Sequence, residues 1–184
     1  MWLVAAYPER QVGRHKILTM NQKLRVSFES PQHGFMSLRL SSGTESFVAV
    51  VSHAPYDSLR DLIETLCAAL AGDYEAIVKW NSEPEEYDFK LAARDDSIKL
   101  DIARYPDHRR LAEPSSTVFS FSGSKLEACL PFWKELRGLH RRIAQDEFDR
   151  QWRREFPERE MQELTKRIRS LKHEVESKGL NYVR

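Results

Sequence analysis

Glu75-Ala76-Ile77-Val78-Lys79-Trp80, Tyr87-Asp88-Phe89-Lys90-Leu91 and Ser97-Ile98-Lys99-Leu100-Asp101-Ile102 follow one another within residues 75–102, and each run alternates apolar with polar side chains, Ile77 excepted. A period of two gathers Ala76, Val78 and Trp80, then Tyr87, Phe89 and Leu91, then Ile98, Leu100 and Ile102 on one face of extended strands. Such clean alternation marks an antiparallel sheet with one face packed and one in water, because a parallel sheet is covered on both sides and reads as near-continuous apolar runs. The connections agree: Asp95-Asp96 suits a tight turn, and Asn81 to Glu86, carrying Pro84, suits a wider one.

The same period extends outward. Leu24, Val26 and Phe28, then Met36, Leu38 and Leu40, then Phe47 to Val51 form a three-stranded meander, punctuated by Ser30-Pro31-Gln32-His33-Gly34 and Ser41-Ser42-Gly43-Thr44. Beyond a loop from Tyr105 to Pro114, Thr117, Phe119 and Phe121 make a last strand. Between the two strand groups, Leu59, Leu62, Ile63, Leu66 and Leu70 recur at helical spacing. Ser58 and Asp61 offer that helix a capping box, and Gly72 offers a left-handed C-terminal cap.

From Ser124 the period changes to 3.6. Ser124 and Glu127 form a second capping box, followed by a stripe of Cys129, Phe132, Leu136, Leu139 and Ile143, broadened by Leu126, Leu130 and Trp133. Pro131 lacks the N–H that an interior helical position needs, so the regular helix is expected from about that residue. Phe148, Trp152 and Phe156 are spaced four apart, and Pro157 then opens a terminal helix at its favoured first turn.

The expected architecture is α+β. Residues 23–150 form one domain with a mostly antiparallel sheet of six or seven strands and helices on one face, and residues 151–184 form a charged helical extension. Residues 1–22 stand apart from this pattern. They hold a second methionine, Met20, directly before the first strand, so translation starting at Met1 or at Met20 leaves the pattern whole.

At 184 residues, 41% hydrophobic and 31% charged, the chain supports one core plus an exposed charged helix. A formal charge of +1 generates no strong field towards nucleic acid or anionic membrane. Cys67 and Cys129 lie in apolar helical stripes and read as packing residues, not as a disulfide framework. With no apolar run of spanning length and no secretory pattern after Met1, a cytoplasmic protein without a membrane partner is expected.

Chemistry-bearing motifs are sparse. His15, His33, His53, His108, His140 and His173 are scattered, with no His-x-His, His-Glu-x-x-His or Cys-x-x-Cys, so no metal and no cofactor is expected. There is no Gly-x-Ser-x-Gly elbow. Ser122-Gly123-Ser124-Lys125 would offer backbone N–H groups to an anion, but it reads first as a helix cap. The basic loop Arg104 to Arg110 contains Asp107 and reads first as solvated.

Two segments are candidates for partner binding. The terminal helix carries Met161, Leu164, Ile168, Leu171 and Val175 on one narrow seam, a two-per-seven stripe suited to a helical partner. Its first expectation is closure onto Phe148, Trp152 and Phe156, its second is docking to another protein or to a second copy, and its third is an exposed, frayed helix. The acidic loop carries Glu83, Glu85 and Glu86 between Trp80 and Tyr87, two aromatics in register to pack across a hairpin.

Trp80, Glu83-Pro84 and Tyr87-x-Phe89-x-Leu91, following a helix that ends Ala69-Leu70-Ala71-Gly72, resemble the layout of small uncharacterised bacterial α+β proteins, some of which accompany polymorphic toxins as immunity proteins. The resemblance covers Leu59 to Ile102. It implies a cytoplasmic binding protein and brings no active-site residue with it. The expected function is therefore a non-enzymatic protein-binding module, immunity-like or scaffolding. The alternative is an enzyme or ligand-binding domain with a pocket between sheet and helices, fed by Arg104, His108, Glu83 or Asp88. Nucleic-acid binding through Arg109, Arg110, Arg141 and Arg142 stands third, with the net charge against it.

Overall fold

A computed structural model of the chain describes residues 23–110 and 116–180. The expectations for residues 1–22 and for 111–115 lie outside the described residues. Seven strands, β1 (Arg25–Phe28), β2 (Phe35–Ser42), β3 (Glu45–Ser52), β4 (Tyr74–Asn81), β5 (Glu86–Arg94), β6 (Ser97–Tyr105) and β7 (Ser116–Ser124), pair in sequence order as one open antiparallel sheet. Helix α1 (Ser58–Ala71) joins β3 to β4, and α2 (Lys125–Arg142), α3 (Gln145–Trp152) and α4 (Glu158–Leu180) follow the last strand.

The sheet is built as its period dictates. Trp80 lies opposite Tyr87, Val78 opposite Phe89, and Phe89 opposite Ile102, and these side chains are buried on the helix-bearing face. The outer face pairs opposite charges, Lys79 across from Asp88 and Lys90 across from Asp101, the favourable cross-strand arrangement. A bulge at Ile102/Ala103 breaks the last ladder. It puts Thr117 opposite Ala103, where an unbroken ladder would put it opposite Arg104, so Thr117 leaves the face that Phe119 and Phe121 share. The expected alignment of all three is corrected on that point; the extra residue is Val118.

β3 and β4 meet at a single pair, Ser52 and Asn81. Away from it β3 packs inward: Phe47 makes edge-to-face contacts with Tyr87 and Phe89, and the Glu45 carboxylate accepts from Ser120 N at 2.9 Å on β7. The β4 edge is occupied by the start of α1, where Ser58 Oγ donates to Lys79 O at 2.5 Å. This corrects the expected capping box. Asp57 is the N-cap residue without a side-chain cap bond, and Ser58, fully buried, spends its hydroxyl on the sheet. Gly72 follows α1 with extended backbone, φ 176°, so the expected left-handed cap is also corrected.

α2 starts as its sequence predicts, with Ser124 Oγ accepting from Glu127 N and the Glu127 carboxylate reaching back to Ser124 N. It runs unbroken from Lys125 through Pro131, so the expected later start does not occur. α1 lies against β4 and β5, α2 lies against β1 and β7, and α3 packs on β2. α4 lies over α1 and α2 as an outer layer. Its Leu164 and Ile168 are fully buried in the same core as the sheet, each stabilising by about 1.5–3 kcal/mol on burial. Its proximal half is thus core, while its distal turns are exposed.

Candidate functional site

α4 is amphipathic with a stripe every three to four residues, and this stripe settles into the groove between α1 and α2. The five seam candidates divide. Met161, Leu164 and Ile168 are buried within the chain, Leu171 is half-buried, and Val175 is 48% exposed. On the α1 side Arg60 Nη1 holds Glu160 at 2.6 Å. On the α2 side Trp133 Nε1 donates to Thr165 Oγ1 at 2.9 Å, and His140 Nε2 sits 3.2 Å from Glu158. The expected closure onto Phe148, Trp152 and Phe156 is replaced mainly by packing on α1 and α2. The three aromatics are buried, with Phe148 edge-on to Phe156 and Trp152 edge-on to His53.

Beside that contact runs a groove of about 580 Å³ between α2 and α4. Arg137, His140 and Arg141 line one wall, and Glu158, Lys166 and Arg169 line the other. The Arg137 guanidinium lies over the Trp133 ring at 5.1 Å, and the His140 ring stacks on Phe156 at 4.5 Å. Of the groove's arginines and lysines, sequence reasoning singled out Arg141 alone. The signal was present, for Arg137 and Arg141 are four apart and Lys166 and Arg169 three apart, which sets like charges side by side on a helix.

The acidic loop is tied down more tightly than its composition suggests. Glu83 is exposed, while Glu85 accepts from Tyr87 Oη at 2.6 Å and pairs with Arg104. The Tyr87 hydrogen bond, joined by Arg104, holds the Glu85 carboxyl below its ordinary range. Burial, with Glu85 alongside, pushes the Tyr87 phenol up to about 12. Glu86 is 2% exposed and bound to Arg110 Nε at 2.5 Å, with Tyr56 Oη donating at 3.1 Å. Arg110 Nη1 also holds Asp88 at 2.8 Å, and its guanidinium lies over Tyr105 at 4.4 Å. Burial and the Glu86 contact raise the Tyr56 phenol. Of the three loop carboxylates, Glu83 remains open to solvent.

The same cluster bears on the alternative site. Asp88 lies on the outer sheet face, Arg104 and Arg110 are spent on carboxylates, and the residues proposed to feed a pocket between sheet and helices do not converge there. A second groove, of about 590 Å³, runs between β1 and α2 past Leu24, Val26, Leu126 and Leu130. Burial pushes the Cys67 thiol up to about 11 and the Cys129 thiol up to about 12, the environment of packing cysteines. Among the described residues no three His, Cys, Asp or Glu side chains gather to hold a metal, and no helix is long and apolar enough to cross a membrane. No family model, curated protein or solved structure matches the chain.

Proposed function

We propose that the chain is a non-enzymatic, cytoplasmic protein-binding module, of immunity-like or scaffolding type, that engages its partner through the distal turns of α4, where its apolar stripe runs past α1 and α2. The observation that carries this reading is that the apolar seam outruns its own partner within the chain. Met161, Leu164 and Ile168 are satisfied by α1 and α2, while on the same stripe Leu171 is half-buried and Val175 reaches solvent. An exposed apolar stripe at the end of an anchored helix is a surface for another protein, and its anchoring spares a partner the ordering entropy of a free helix. The engaged state of Asp88, Arg104 and Arg110 supports binding over catalysis.

The test is capture on the immobilised full chain from an extract of its own cell, followed by calorimetry with the purified captured protein. Val175→Asp is expected to weaken that protein about tenfold or more while Val48→Asp, on the exposed outer sheet face, leaves it unchanged. If no protein distinguishes the native chain from Val175→Asp, the proposal fails.

A further inference from the structure

We propose that the groove between α2 and α4 receives a carboxylate-rich helical segment of the partner protein, an inference that rests on the protein-binding reading and names the chemistry of its partner. Four cations, Arg137, Arg141, Lys166 and Arg169, line this groove, and among the described residues none has a carboxylate within ion-pair distance. The lining carboxylate, Glu158, sits with His140.

The chain does not lack acids. It carries 28 against 29 basic residues, and Arg60, Arg94, Arg104, Arg110 and Arg142 each find one. Other cations, Lys23, Arg25 and Lys134 included, also have no ion pair among the described residues, but Arg137, Arg141, Lys166 and Arg169 line the two walls of one groove between α2 and α4. Like charges three and four apart weaken a helix slightly, and a bound anion reverses the sign of that contribution. Guanidinium groups on facing walls suit carboxylates, which they grip through two parallel hydrogen bonds.

Size and floor narrow the ligand. From Glu158 to Ser170 the groove follows α4 over a rise of about 18 Å, a little more than three helical turns. Met161 and Thr165 supply a mixed floor for an amphipathic helix laid between two helices. Single-stranded nucleic acid would need free aromatic faces for its bases. Here Trp133 is covered by Arg137 and Phe156 by His140, so the stacking platforms are taken.

The test is fluorescence anisotropy at low ionic strength with the full chain. The probe is a labelled helical peptide of about 15 residues, Glu on one face and Leu on the other, beside a version with Gln for Glu and an oligothymidylate of equal charge. Saturable binding of the Glu peptide, weakening with added salt, is expected, with the Gln version about tenfold weaker or more. Arg141→Glu combined with Arg169→Glu is expected to weaken the Glu peptide about tenfold or more without lowering the thermal midpoint, since both positions are exposed and each reversal removes a like-charge pair on its own helix. Equal binding of the two peptides, indifference to the charge reversal, or tighter binding of the oligothymidylate overturns the proposal. The broader reading fails separately, through Val175→Asp, because that substitution leaves the groove charges in place.

Discussion

Ser58 shows how one hydroxyl can be claimed by the tertiary structure. Its position before an apolar helical stripe is that of a cap, yet its Oγ closes the β4 edge at Lys79 O, and Asp57 takes the cap position. Ser58→Ala is expected to destabilise by about 1–3 kcal/mol in urea unfolding, because Lys79 O then faces a methyl group in a buried site. Tyr87 and Glu85 answer to pH in opposite directions. The Tyr87 phenol is raised from 10.0 to about 12, so its contribution is whole below pH 10 and is lost as pH rises towards 12. The Glu85 carboxyl is lowered from 4.5, so its contribution is present above that value and is lost as pH falls through the folded-state pKa. Tyr87→Phe is expected to flatten the alkaline limb of stability between pH 10 and 12, and Glu85→Gln the acid limb below 4.5, each read from denaturation midpoints against pH. The thiols provide a third check: Cys129, fully buried, is expected to react with a thiol reagent only on unfolding, and half-buried Cys67 only slowly.

Among the elements, α2 and α4 depart furthest from what local pattern predicts. Pro131 leaves the Glu127 carbonyl without its helical donor, yet the helix continues, held by Phe132, Trp133 and Leu136 in the core. Pro131→Ala is expected to raise stability by about 1–3 kcal/mol, measured by urea unfolding. In α4, Leu164→Ala is expected to destabilise by about 2–5 kcal/mol while Val175→Ala moves stability by less than about 0.5 kcal/mol, a gradient that marks where the helix stops being core. The strands were legible because their period of two survives almost every position. Thr117 escaped because a bulge shifts the ladder without leaving a mark in apolar alternation. The seam of α4 was legible as a stripe, but a stripe records that a face is apolar and is silent on which helix covers it.

Across the whole molecule, the seven-stranded antiparallel sheet with helices on one face was readable from alternation and turn chemistry. The near-separation of β3 from β4 was not, because a single pair at Ser52 and Asn81 depends on how α1 enters the sheet. The basic groove escaped for a related reason: its walls are far apart in sequence, with Arg137 and Arg141 on one helix and Lys166 and Arg169 on another. A near-zero net charge hid it. Summed charge discards position, and position is what makes a binding surface.

α4 is synthesised after every element it covers. Until Leu164 and Ile168 have been added, the chain holds nothing that can cover the surfaces of α1 and α2 that they bury in the finished fold. Any segment able to cover those surfaces during this interval competes with the chain's own α4, so the order of manufacture makes the last layer the vulnerable one.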